Sequence, residues 1–196
     1  AINAITKSGT NVFHGSVYGF GNNQNLVGSK YPLADGGYAP KFNKQQEYNI
    51  GVTLGGPIIK DKLFFFANYE KTNKTYPNLY TLGSEHSAVD AAKANDILEK
   101  IADLAKRQGV NFPTTLSTDD IYTKSDKAGL KLDWNINETN KASVRWSLVN
   151  AVQLNNAGSR TAVNGKSYAF PFESVTNSFI AELQSRLSPS VANEAR

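Results

Sequence analysis

The 196 residues carry 21 basic and 17 acidic side chains, a net charge of +4, and are 40 % hydrophobic with a mean hydropathy of −0.42. With no cysteine there are no disulfides, thiolate metal ligands or cysteine nucleophiles, and with no long apolar run there is no membrane-spanning helix. A barrel strand escapes that exclusion, because it needs only every second residue to be apolar over roughly 9–11 residues.

The charges form no block of one sign, which argues against a nucleic-acid partner. The opening Ala1-Ile2-Asn3-Ala4-Ile5-Thr6-Lys7 lacks the basic start and apolar stretch of a signal peptide, so an export signal is expected upstream or already removed.

In chain order, six segments alternate with a period of two and are predicted strands. The first, Phe13 to Asn22, is rich in glycine, and Tyr18 and Phe20 are assigned to its outer side. The second, Glu47 to Gly55, sets Tyr48, Ile50, Val52 and Leu54 against Asn49, Gly51, Thr53 and Gly55. The third, Leu63 to Glu70, begins apolar on both faces, with Leu63, Phe65, Ala67 and Tyr69 opposite Phe64, Phe66, Asn68 and Glu70.

The fourth, Lys127 to Ile136, alternates most cleanly: Ala128, Leu130, Leu132, Trp134 and Ile136 against Lys127, Gly129, Lys131, Asp133 and Asn135. The fifth, Lys141 to Leu148, sets Ala142, Val144, Trp146 and Leu148 against Lys141, Ser143, Arg145 and Ser147. The sixth, Ser178 to Leu187, sets Phe179, Ala181, Leu183 and Leu187 against Ile180, Glu182, Gln184 and Arg186.

The connections alternate in length. Gly56 to Lys62, Asn137 to Asn140 and the proline-marked Ser188 to Asn193 are short, whereas Asn23 to Gln46, Lys71 to Asp126 and Val149 to Asn177 are long. Short turns at one end and long loops at the other are the pattern of an outer-membrane barrel, periplasmic turns against extracellular loops. A soluble antiparallel sandwich also alternates, but hairpin loops of about 2–5 residues are its rule. Within the longest loop, Ser87 to Gln108 has helical spacing of Val89, Ile97, Leu98, Ile101, Leu104 and Ala105. Ser87 and Asp90 resemble a capping box and Gly109 a C-terminal cap. The helix is expected either to shape an extracellular lid or simply to shield its own apolar stripe inside the loop.

Two linked motifs resemble a known family. Ala1 to Asn11, followed by Phe13-His14-Gly15-Ser16, is similar to the plug-to-barrel junction of TonB-dependent outer-membrane receptors of the Oar-like group. Gly51-Val52-Thr53-Leu54-Gly55-Gly56-Pro57-Ile58-Ile59-Lys60-Asp61-Lys62-Leu63-Phe64-Phe65-Phe66 resembles the hairpin between the second and third barrel strands of that group. The resemblance covers about the first third of the chain. It implies that residues 1–11 are the last plug strand and its linker, and that residues 12–196 are the N-terminal part of a barrel of about 22 strands around a plugged lumen.

The expected fold is therefore all-β: about six antiparallel strands, a sector of a transmembrane outer-membrane β-barrel, with one helix in an extracellular loop. Six strands cannot close around a plug, and bare edges in lipid are untenable, so the rest of the receptor must complete the wall. The partners implied are that remainder, TonB acting through a segment outside these residues, membrane lipid and, at the loops, a surface lipoprotein. The function implied is uptake of a substrate that the motifs do not name; a secreted or surface adhesin without transport is the alternative.

Lys127, Lys131, Asp133, Lys141, Arg145, Glu182 and Arg186 are expected on the lumen side, either holding the plug and lining a polar route or forming a solvated wall. Tyr48, Ile50, Val52, Leu54, Leu130, Leu132, Trp134, Val144, Trp146, Phe179 and Leu183 are expected to face lipid, with Trp134, Trp146, Tyr48 and Tyr69 placed at the interfacial girdles. No nucleophile, base and orienting residue assemble into an enzyme site, and no cofactor is called for. His14 and His86 lie in different elements, and Asp119, Asp120 and Asp126 follow no EF-hand spacing, so no metal site is expected. Gly51, Gly55 and Gly56 lack the Gly-Lys-Ser/Thr of a phosphate loop and read as a tight strand end. The loop aromatics Tyr31, Tyr38, Phe42, Tyr76, Tyr80, Tyr168, Phe170 and Phe172 are candidates for ligand contact or loop packing.

Overall fold

The computed structural model describes residues 7–27, 31–32, 38–39, 44–156 and 158–196. Residues 1–6 of the plug strand expected over Ala1 to Lys7 lie outside the described residues, as do the side chains of Tyr31, Tyr38 and Phe42.

Nine strands form: β1 (His14–Asn23), β2 (Tyr31–Pro32), β3 (Tyr38–Ala39), β4 (Gln46–Ile59), β5 (Leu63–Tyr76), β6 (Ile121–Asn135), β7 (Asn140–Asn155), β8 (Phe170–Ser188) and β9 (Val191–Ala195). Seven of them make one open antiparallel sheet in the order β1-β4-β5-β6-β7-β8-β9, an up-and-down meander, while β2 and β3 pair separately in the first long connection. Tyr76, Phe170 and Phe172, expected in loops, belong to strand ends.

The strands outrun the alternation that predicts them. β4 and β5 have 14 residues each, β6 has 15, β7 has 16 and β8 has 19, against the roughly 9–11 that cross a bilayer. The extra residues lie at the loop ends, where β5 and β6 are mostly polar on both faces and β7 and β8 mix apolar with polar residues on each face, so the ladder continues without a clean alternation. At the other end β4 runs through Gly55-Gly56-Pro57 to Ile59, past the predicted strand end. A register shift between Pro57 and Ile59 accommodates the proline. Asp61, at φ 62°, then makes the tight reversal into β5. The proline-marked Ser188 to Asn193 is shorter still: the chain reverses at Pro189-Ser190, and Val191 starts a seventh sheet strand.

Three strand glycines have a common explanation. A Cβ at Gly51 would collide with the Tyr18 ring and one at Gly56 with the Phe13 ring, and at Gly55 it would stand 3.3 Å from the His14 imidazole. Side chains from the edge strand lie over glycines of its neighbour and fill the space they leave. This is close side-chain approach inside a strand, where the sequence suggested a strand end.

The loop helix α1 (Ala91–Arg107) begins three residues later than the capping-box reading places it. Asp90 is the N-cap and its carboxylate accepts from the Lys93 N–H at 3.1 Å, while Ser87 Oγ accepts from Val89 N–H. The C-terminal end is as expected: Gly109 has φ +66°, Val110 N–H bonds to the Ala105 carbonyl at 2.9 Å and Gly109 N–H to Lys106 at 3.2 Å, the double closure of a Schellman motif.

Among the described residues no hydrophobic side chain is buried. Val17 is 80 % exposed, Phe179 68 % and Trp134 51 %. A water-soluble sheet of this size hides one face under a second layer; among the described residues no such layer covers this one.

Candidate functional site

Directly paired residues in an antiparallel ladder share a face, so the registers sort every strand residue onto one of two surfaces. One surface runs Val17, Val52, Tyr69, Ala128, Leu148 across five strands, then Leu54, Ala67, Leu130, Trp146, Phe179, then Phe65, Leu132, Val144, Ala181, and ends on Leu63, Trp134, Ala142, Leu183. With Tyr48 and Ile50 added, all eleven residues expected to face lipid lie together on this surface. Trp146 sits between Leu130 and Phe179 in the middle of the apolar field, and its indole N–H is satisfied by Asn177 Oδ1 at 2.8 Å.

The opposite surface carries Lys127, Lys131, Asp133, Lys141, Arg145, Glu182 and Arg186. Ties between strands organise it. The Tyr18 hydroxyl donates to Glu70 Oε2 at 2.8 Å and Lys127 Nζ donates to Glu70 Oε1 at 2.7 Å, which links β1, β5 and β6 across Gly51. Lys131 stands 2.9 Å from Asp133. Glu182 accepts from Gln184 and from Arg196 Nε at 3.2 Å. Ser143 lies between Asp133 and Glu182 in the ladder. Tyr18 and Phe20 belong to this polar surface, because Tyr18 pairs with Gly51 and Phe20 with Asn49. Their assignment to the outer side is corrected: glycine-rich alternation has no apolar face of its own, and only the pairing partner fixes it.

The chain segment before β1 lies across the polar surface. Lys131 Nζ donates to Ser8 Oγ at 2.7 Å, and a Cβ at Gly9 would meet the Gly56 carbonyl and Phe64 Cβ at 3.0 Å. Asn11 is held by the β4–β5 turn, its side-chain oxygen accepting from Asp61 N–H at 2.8 Å and its amide donating back to the Asp61 carboxylate. Phe64, which shares the polar surface with Phe20, Phe66 and Ile180, lies beneath the linker. Near it a concavity of about 360 Å3 brings the cations Lys7, Lys127, Lys131 and Arg145 together with Phe66 and Asn68, among other strand residues of mixed polarity.

Sequence reasoning missed Ser8, Tyr18 and Glu70 as members of this surface. Glu70 carried a signal, since it falls in phase with Asn68; Ser8 carried none, because its contact spans 123 residues.

The loop carboxylates do not converge. Asp120 pairs with Lys44, Asp119 stands 3.9 Å from Lys166, and Asp126 takes the Tyr69 hydroxyl and Lys71. His14 Nδ1 lies 3.1 Å from the Val12 carbonyl, and His86 lies beside Glu85 in another element. Among the described residues no three metal-ligating side chains meet.

Known proteins account for this two-faced sheet. Residues 5–96 match the outer membrane beta barrel domain. Over those residues the chain resembles an outer-membrane β-barrel domain. Its similarity extends to the TonB-dependent transporter Oar of Myxococcus xanthus, 39 % identical over 85 residues, which is 42 % of the chain and 8 % of that relative. The chain thus spans a small fraction of the length of the curated relative that it matches. No solved structure matches significantly. The protein is a component of the bacterial outer membrane, and its antiparallel sheet, of the outer-membrane barrel type, is not closed.

Proposed function

We propose that the chain is the first sector of the barrel of a TonB-dependent receptor that takes up a substrate through the outer membrane, with residues 1–11 leaving a plug and residues 12–196 entering the wall. The carrying observation is the linker: Lys7 to Asn11 crosses the polar surface and is fastened there by Lys131 and Asp61, while the apolar surface carries no covering segment among the described residues. A chain that emerges from a plug must leave through the lumen, so the polar surface is the inner one and the apolar surface meets lipid.

On this reading Lys127, Lys131, Asp133, Lys141, Arg145, Glu182 and Arg186 face the plug and the transport route, and the eleven residues from Tyr48 to Leu183 face acyl chains. The long connections, α1 among them, lie outside the cell. TonB acts on a segment beyond these residues, and no covalent step is required. The test is uptake. Spent medium from wild-type cells, from cells lacking the receptor and from cells lacking TonB is compared by mass spectrometry. The expected result is a medium component removed by wild type and left by both deletion strains. A receptor deletion that changes no component, or changes only components indifferent to TonB, overturns transport and favours the adhesin reading.

A further inference from the structure

The apolar surface does not end in a smooth rim on the loop side. Beyond Val52, Tyr69, Ala128 and Leu148 the same face continues through Lys71, Asp126 and Asn150, then Tyr48, Asn73, Lys124 and Val152. These residues, all polar or amphipathic except Val152, line with Thr72 a concavity of about 310 Å3 directly above the apolar field.

Its electrostatics favour an anion. The Asp126 carboxylate is already engaged, accepting from the Tyr69 hydroxyl and standing 3.4 Å from Lys71 Nζ. Lys124 Nζ has no carboxylate within ion-pair distance among the described residues and sits 4.8 Å from the centroid of the Tyr122 ring. The next carboxylate along its row, Glu173, pairs with Val152, two strands away from Lys124, or roughly 10 Å. Asn73, Asn150 and Tyr48 add neutral donors.

Position identifies the source of the anion. A soluble anion gains nothing from a niche that opens onto an apolar wall, whereas a lipid places its phosphate among the lysines and its chains on the wall below. On the lipid-facing reading above, on which this inference rests, we propose that the niche binds the phosphate-bearing headgroup of an anionic lipid of the outer leaflet. Lys71 and Lys124 take the phosphate, and acyl chains run along Val52, Leu130 and Leu148.

The test is native mass spectrometry of the full receptor in detergent, titrated with dioleoyl phosphatidylglycerol, with dioleoyl phosphatidylcholine or with inorganic phosphate. Retention of the phosphatidylglycerol is expected to weaken about fivefold in Lys71→Gln or Lys124→Gln and about 25-fold in the double variant, at roughly one surface-lysine contribution each. Asp126→Asn, which removes the competing carboxylate, is expected to strengthen it. Phosphatidylglycerol retention unchanged in the double variant overturns the site, as does inorganic phosphate displacing the lipid. A spin label at Leu148→Cys, in a receptor whose other cysteines, if it has any beyond these cysteine-free residues, are replaced by serine, separates the two levels of failure. Relaxation by oxygen shows a lipid-facing wall, so a binding failure then falls on the niche alone. Relaxation by an aqueous nickel chelate overturns the orientation itself and the niche with it.

Discussion

Two adjacent residues of β7 give the sharpest test of which surface meets lipid. Val144 pairs with Leu132 and Ala181 on the apolar face; Ser143, one residue earlier, pairs with Asp133 and Glu182 on the polar face. Arginine at 144 places a guanidinium among aliphatic side chains in the middle of the band, a cost of about 2–4 kcal/mol near the bilayer midplane. At about 1.4 kcal/mol per decade this is a loss of roughly 30- to 700-fold in the folding equilibrium. Arginine at 143 meets two carboxylates in an aqueous wall. Glu182 already receives Gln184 and Arg196, so the gain is that of exposed pairs, about 0.2–1 kcal/mol. The assay is guanidinium-driven unfolding of the full receptor from phosphatidylcholine vesicles, followed by tryptophan emission, for wild type, Val144→Arg and Ser143→Arg. Equal losses in the two variants, or a larger loss at 143, refute the assignment of faces.

Three further outcomes follow from local geometry. Asn11→Ala removes both bonds to Asp61 and is expected to release the linker by about 1–2 kcal/mol, seen as faster proteolysis within residues 7–13 with the strand ladder intact. Gly109→Ala forces a side chain into φ +66° and costs about 1 kcal/mol, measured as lost amide protection in the last turn of α1 with the sheet unchanged. Ser117→Ala leaves the Asn156 amide, 3.1 Å from Ser117 Oγ, without its partner, and is expected to speed amide exchange at Ser117 and Lys166 about tenfold.

The wall was legible wherever one face is apolar. Tyr48 to Leu54, Ala128 to Trp134 and Ala142 to Leu148 alternate because acyl chains or a core must cover one side, and the period shows which residues travel together. Legibility failed where neither face is apolar. The loop-side half of β5 is held by ladder bonds and by ties such as Tyr76 to Glu47 at 3.0 Å, and a polar ladder has no period in hydrophobicity; those of β7 and β8 scatter Val149, Val152, Leu154, Phe172 and Val175 over both faces, which breaks the alternation. It failed again in β1, whose glycines hide the facing of Tyr18 until the pairing with Gly51 reveals it. Ser190-Val191 was too near the predicted turn to show that a strand begins there. The polar-face candidates were found together because Lys127, Lys131 and Asp133 fall in phase with Lys141, Arg145, Glu182 and Arg186 once the turns are placed. Which of them ties the linker, and which ties another strand, depends on contacts 50 or more residues apart, invisible to any local pattern.

Where burial occurs supports the proposed orientation from another direction. Ser117, 1 % exposed, and Asn156 are the buried side chains, apart from strand glycines, among the described residues, and both belong to the long connections. There Ser117 N–H bonds to the Asn164 carbonyl at 2.9 Å, Asn156 reaches Ser117, and Lys166 N–H bonds to Thr115 at 2.7 Å, so the loop before β6 is stitched to the loop before β8. Segments with water on every side must bury against each other to hold a conformation. The sheet, whose apolar residues are far more numerous, buries none of them in protein. Loops that fold on themselves beside an apolar wall left bare among the described residues fit the proposed reading, in which lipid is the second solvent that covers that wall.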